Sequence, residues 1–447
     1  MPSRLTANIR RLWDYLTASY WFVPVGQVMG YASLAVLFVA LDRAGYSAWI
    51  GFPSAWQISD VASARALLAA IASSMISIAT LTFSITIVAL TLATSQYGSR
   101  LLYNFMRDRA NQLVLGNFVG IFIYCLIVLR AVFIRSGGDP SVPQLAVFFA
   151  LVWGVVGILL LIYFIHHVAD SIQANSVIGR VAEELHRCIT RFFPESSEQE
   201  LTQGETFELP TSWWPIQARF NGILQLVDLQ ALARTAESVN GVIVVRMRAG
   251  CFVTRGMPIA EVSVAVDERT VADIQSAFLL GERRTLLQDV DYAFHQLVEV
   301  AVRALSPGIN DPFTAIHCID QIGAGLAHVM TRALPSHLQF DGQRRLRVVQ
   351  PTLSFRDILA SALTQLRPHA AGDAGVMWHL LQKLLQLIEM AETEAQREAL
   401  LEQVALIAAH VRHMPLIDAD RERFLGAIDG LDATAEPERS QGRSALA

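Results

Sequence analysis

Ten hydroxyl side chains crowd the segment from Ser73 to Ser95, inside a stretch that carries no Asp, Glu, Lys or Arg from Ala66 to Ser99. Laid out at about 100° per residue, Ser73, Ser77, Thr80, Ser84, Thr91 and Ser95 fall within an arc of roughly 60°. Ser74, Thr82 and Thr86 lie well away from it. A row of hydroxyls along an apolar helix has two uses. It can line a water-filled path for ions, built from one such helix per subunit of a ring or from helices within one bundle. Alternatively, each hydroxyl bonds a carbonyl of the preceding turn, and the small side chains let another helix approach closely.

A second candidate lies in Ser306-Pro-Gly-Ile-Asn-Asp-Pro-Phe313. Pro307 and Gly308 stop one helix, Asp311 is placed to cap the next, and Pro312 fits its first position. Capping explains nearly every residue there. A functional reading has Arg303, Asn310 and Asp311 hold an ion, a ligand or a neighbouring subunit.

Other chemistry is sparse. His166 and His167 point about 100° apart on a helix, so they form no bidentate pair, and no metal centre is expected. Cys125, Cys188, Cys251 and Cys318 are widely spaced, without a Cys-x-x-Cys. The phosphate-binding loop, the His-Glu-x-x-His motif and the Gly-x-Ser-x-Gly elbow are all missing, so the sequence does not read as an enzyme.

The elements that must position these residues follow from composition. The chain has 447 residues, 53% hydrophobic and 17% charged, with a net charge of −5. That excludes a disordered chain and supplies no basic footprint for nucleic acid. Apolar runs concentrate in the first 170 residues: Trp21–Leu41, Ala66–Ser95, Leu113–Phe133 and Leu145–Ile165. Each is long enough to cross a bilayer, and the first reads as an uncleaved anchor. Arg4, Arg10 and Arg11, then Arg100, Arg107 and Arg109, then Arg180, Arg187 and Arg191 fall on one side of a four-span arrangement. Both termini are therefore expected in the cytoplasm of a multi-pass bacterial inner-membrane protein. Gly26-x-x-x-Gly30 and Gly116-x-x-x-Gly120 offer close helix contacts.

The remainder reads as a soluble α+β domain. An amphipathic helix and a polar linker occupy 171–210, short Val-rich strands 211–270, helices 271–432, and a polar tail 433–447. The glycine-punctuated strands of 241–266 resemble the small barrel of biotin- and lipoyl-attachment domains. Their turn is Arg255-Gly256 and has no lysine to carry a group, so no cofactor is expected. The expected fold class is thus a mainly α membrane protein, with four transmembrane helices followed by a cytoplasmic α+β domain holding a small β-barrel and a helical region.

Four phrases resemble a family of predicted bacterial inner-membrane proteins catalogued as a domain of unknown function: Phe83 to Leu102, Gly116 to Ala131, His166-His167 and Ala304 to Pro312. The resemblance implies four spans plus a cytoplasmic domain and supplies no activity. From the residues themselves, the expected function is an oligomeric, channel-like or transport protein with a pore lined by the second span. Its partners would be the lipid bilayer, further copies of itself and ions. The rival is a membrane-anchored scaffold or sensor whose cytoplasmic domain binds a partner.

Overall fold

The computed structural model describes residues 21–46, 58, 60–98, 109–133, 142–195 and 210–430. The expected polar linker falls mostly outside these residues, as do the tail at 433–447, Arg4, Arg10, Arg11, Arg100 and Arg107. The chain divides into two compact units between Ser176 and Val177, a few residues beyond the expected boundary.

The first unit holds four helices long and apolar enough to cross a membrane: α1 Phe22–Arg43, α2 Val61–Tyr97, α3 Arg109–Phe133 and α4 Gln144–Ser171. Helix α3 packs against the other three, and Phe118, Ile121 and Tyr124 on it are fully buried. The glycine pairs behave differently. A Cβ at Gly116 or Gly120 would collide with Pro24, Gln27 or Tyr31 of α1, whereas nothing lies within 4 Å of one at Gly26 or Gly30. Close approach of α1 and α3 therefore depends on the α3 glycines alone. At one end of the bundle, the Asp42 carboxylate accepts from the free backbone N–H groups of Leu145 (3.1 Å) and Ala146 (3.0 Å), capping α4 from another helix.

Helix α5 (Ala174–Phe192), in the second unit from Val177 onward, is strongly amphipathic and buries Val177, Val181 and Leu185. Then follow β1 Trp214–Gln217, β2 Gly222–Val227, α6 Leu229–Ser238, β3 Ile243–Val245, β4 Phe252–Val253, β5 Pro258–Val262, α7 Glu268–Ser276 and β6 Phe278–Gly281. The hairpin of α8 (Val290–Ala304) and α9 (Pro312–Met330) leads to β7 Leu338–Phe340 and β8 Leu346–Val349. Helices α10 Phe355–Leu363, α11 Leu366–Ala370, α12 Ala374–Glu389, α13 Glu394–His413 and α14 (418–430) complete the unit. Aspartates at 228, 267, 289, 311 and 373 each accept a backbone N–H of a helix's first turn, so these starts are written locally.

The strands do not close into the expected barrel. They form one open sheet in the order β1-β5-β3-β8-β7 and a second in the order β4-β2-β6. Strand β3 takes β5 antiparallel on one side and β8, about a hundred residues further on, in parallel on the other. That distant partner occupies the edge on which 211–270 would have had to close on itself. Leu224, Ile243, Val253, Val262 and Ile274 form the core of this region.

Candidate functional site

The 37 residues of α2 extend for about 55 Å at 1.5 Å per residue, well beyond a hydrocarbon core of about 30 Å. Its buried face is Ala64, Leu68, Ala72, Met75, Ala79, Thr82, Ala89 and Ala93. Small residues there let α3 and α4 approach: a Cβ at Gly157 of α4 would meet the Met75 sulfur at 2.8 Å. Ser73, Ser77, Thr80, Ser84, Thr91 and Ser95 are all exposed, and by helical spacing they lie opposite that buried face. The row thus faces away from the described helices of the molecule's own bundle. Exposed Ile87 and Val88 flank it.

Every one of the six hydroxyls donates to a carbonyl of its own helix: Ser73 to Ala70, Ser77 to Ser73, Thr80 to Ile76, Ser84 to Thr80, Thr91 to Ile87 and Ser95 to Leu92. The distances run from 2.7 Å (Ser77) to 3.1 Å (Ser73). A hydroxyl bonded this way has met its donor requirement in an apolar medium and keeps oxygen lone pairs for a second partner.

At the α8–α9 joint, Asp311 caps α9: Oδ1 accepts from Thr314 N at 3.1 Å and Oδ2 from the Thr314 hydroxyl at 2.6 Å. Asn310 adopts φ 51°, a left-handed conformation that asparagine tolerates, and is exposed. Arg303 is half-buried one turn before the joint. Asn310 and Asp311 sit in the joint itself and Arg303 in the last turn of α8, with both Asp311 oxygens engaged locally, the geometry of a helix joint. Phe313 beside them is 82% exposed.

Sequence spacing gave no sign of two further clusters. Asp289 and Asp291 are both buried at the start of α8. Asp289 is clamped by Arg284 through two bonds of 2.7 and 2.8 Å, and Asp291 pairs with Arg248 at 3.3 Å. Burial holds the Asp291 carboxyl above the usual aspartate range, against the opposing charge of Arg248. Arg284 also reaches His295, which in turn bonds Ser361 of α10. The second cluster joins His186 of α5 to His328 of α9, with Arg332 donating to the far nitrogen of His328. No group of three or more metal-ligating side chains occurs among the described residues.

The family pattern described as "Predicted membrane protein (DUF2254)" matches residues 17–386, and the chain belongs to that family. Similar proteins include the uncharacterized protein Rv1290c of Mycobacterium tuberculosis and the uncharacterized protein Mb1321c of Mycobacterium bovis. Each is 29% identical over 429 residues, covering 93% of this chain and 80% of the relative. No solved structure matches.

Proposed function

We propose that this four-helix membrane protein assembles as a homo-oligomer in which α2 of each copy turns its hydroxyl row toward the others, forming a channel-like path for ions. The observation that carries the reading is the direction of the row: six hydroxyls on the outward face of a helix whose inward face is alanine-rich and packed. Ser73 and Ser95 are about 33 Å apart along the helix, close to the thickness of a hydrocarbon core. A polar line of that length is more useful against water or another helix than against lipid tails. The arginine distribution supports an inner-membrane setting with both termini and the second unit on the cytoplasmic side, where that unit would regulate the path. The reading includes no catalysis.

The internal bonding of all six hydroxyls favours a second reading. The row would then be only a close-packing face, and the protein a membrane-anchored scaffold or sensor. Ion flux through the purified protein in proteoliposomes separates the two. The channel reading expects flux in the parent, loss in Ser84→Leu and retention in Ser74→Leu, whose side chain lies off the row. A folded, oligomeric parent that moves neither cations nor anions favours the scaffold.

A further inference from the structure

A cavity of about 190 Å³ lies within the second unit, between the end of α5, strands β2 and β3, and the loop that follows β8. Its walls are mostly apolar, with Phe192, Phe193, Val245, Met247 and Leu353 prominent. A space of this size is comparable to an engineered apolar cavity of about 150 Å³ that takes up benzene, so it can admit a small organic molecule.

The polar side chains in the wall are mostly committed already. The Gln288 amide is used twice, accepting from Val227 N at 2.7 Å and donating to Val227 O at 3.0 Å. Gln350 donates to Ser336 O at 2.9 Å. Asp289 spends its oxygens on Arg284 and on Tyr292 N, so its charge is matched inside the fold. Arg248 is different. Its side chain is 43% exposed and its contact with Asp291 is one long pairing of 3.3 Å, which leaves most of a five-donor fork unspent at the cavity wall. Neither neighbouring acid takes up the rest of the fork: Asp291 meets it at that single contact, and Asp357 is engaged in the capping box with Ser354.

An apolar, partly aromatic cavity that presents one unspent guanidinium suits a particular ligand chemistry. We propose that this cavity binds a small monocarboxylate with an apolar or aromatic body, its carboxylate on Arg248 and its body against Phe192, Phe193 and Leu353. The proposal stands apart from the channel reading, since it rests on the second unit alone.

The test is isothermal titration calorimetry on the full-length protein in detergent, with phenylacetate, its neutral isostere phenylacetamide and the cation phenethylamine as probes. Phenylacetate is expected to bind saturably, with the amide about tenfold or more weaker, since a charge-assisted pair is lost. Arg248→Gln should weaken phenylacetate to the level of the amide while leaving amide binding unchanged. Leu353→Trp, which fills the cavity from a loop, should abolish both. Melting curves show whether each variant is folded. If Arg248→Gln does not fold, Arg248→Lys and Leu353→Trp carry the comparison, the lysine variant weakening phenylacetate alone. Absence of saturable binding by all three probes, equal affinity for carboxylate and amide, preference for the amine, or undiminished phenylacetate binding in the folded Arg248 variant would each overturn the proposal.

Discussion

His186 and His328 meet through their Nδ1 atoms at 2.9 Å, and Arg332 decides which of them carries the proton. The Arg332 Nε–H donates to His328 Nε2 at 2.9 Å, so that nitrogen is an acceptor and the ring's proton sits on Nδ1. His328 then donates to His186. The relay needs both rings neutral, because a second proton on either leaves two donors facing each other. It ties α5, which follows α4 directly in the chain, to the α8–α9 hairpin.

Stability should therefore fall in acid. Burial, followed by the proximity of His186 and Arg332, holds His328 below the ordinary histidine value, so the unfolded chain takes up a proton more readily than the folded one. The pair's contribution is complete above the unfolded value and is lost as pH falls through the folded one. Glu195 faces the same cluster, pairing with Arg332 at 3.0 Å. The thermal midpoint of the purified protein is expected to drop between about pH 7.5 and pH 5.5. His328→Gln, which can still accept from Arg332 and donate to His186, should flatten that limb. An equally steep acid limb in the variant would place its origin elsewhere.

The glycine pairs predict an asymmetry. Gly120→Leu must displace Tyr31 of α1, and overpacking of this kind costs about 1–3 kcal/mol. Gly30→Leu meets open space and should stay within about 0.5 kcal/mol of the parent. Unfolding of both variants in mixed micelles measures the difference. Equal losses would contradict the packing of α1 on α3.

Removing one partner of the buried Arg284–Asp289 pair should be costly. Arg284→Met leaves Asp289, 4% exposed, without its bidentate partner, and a loss of about 3 kcal/mol is expected. Chemical denaturation reads it directly. A loss below about 1 kcal/mol would mean that water or another group takes the arginine's place.

The membrane half was largely legible in the sequence because bilayer thickness dictates the length of an apolar run. The span expected from Ala66 to Ser95 is the core of α2, and Asp289–Leu305 anticipates α8 to within a residue at each end. Capping signals were equally readable: Asp311 and Pro312 do at the α9 start what their positions announced. The barrel was misread because β3 finds β8 far along the chain, and local strand patterning carries no information about such a partner. For the same reason the His186–His328 contact, across 142 residues, left no trace in spacing. The outward direction of the hydroxyl row was also hidden. Both faces of α2 are apolar enough for lipid, so periodicity located the row without saying what it faces. The small residues opposite it, Ala72, Ala79 and Ala89, were the available signal.

Whether α2 faces a second copy of itself is the central claim, and cysteine cross-linking in native membranes tests it most directly. In a variant with Cys125, Cys188, Cys251 and Cys318 replaced by serine or alanine, single cysteines at Ser77, Ser84 and Thr91, with Ala79→Cys on the buried face as control, would be oxidised and examined for disulfide-linked dimers. Parallel samples would be exposed to a water-soluble thiol reagent. The account predicts cross-linked dimers and reagent access at the three row positions and neither at residue 79. Row cysteines that neither cross-link nor react, in protein that is folded and inserted, would mean that the row faces lipid and would contradict it.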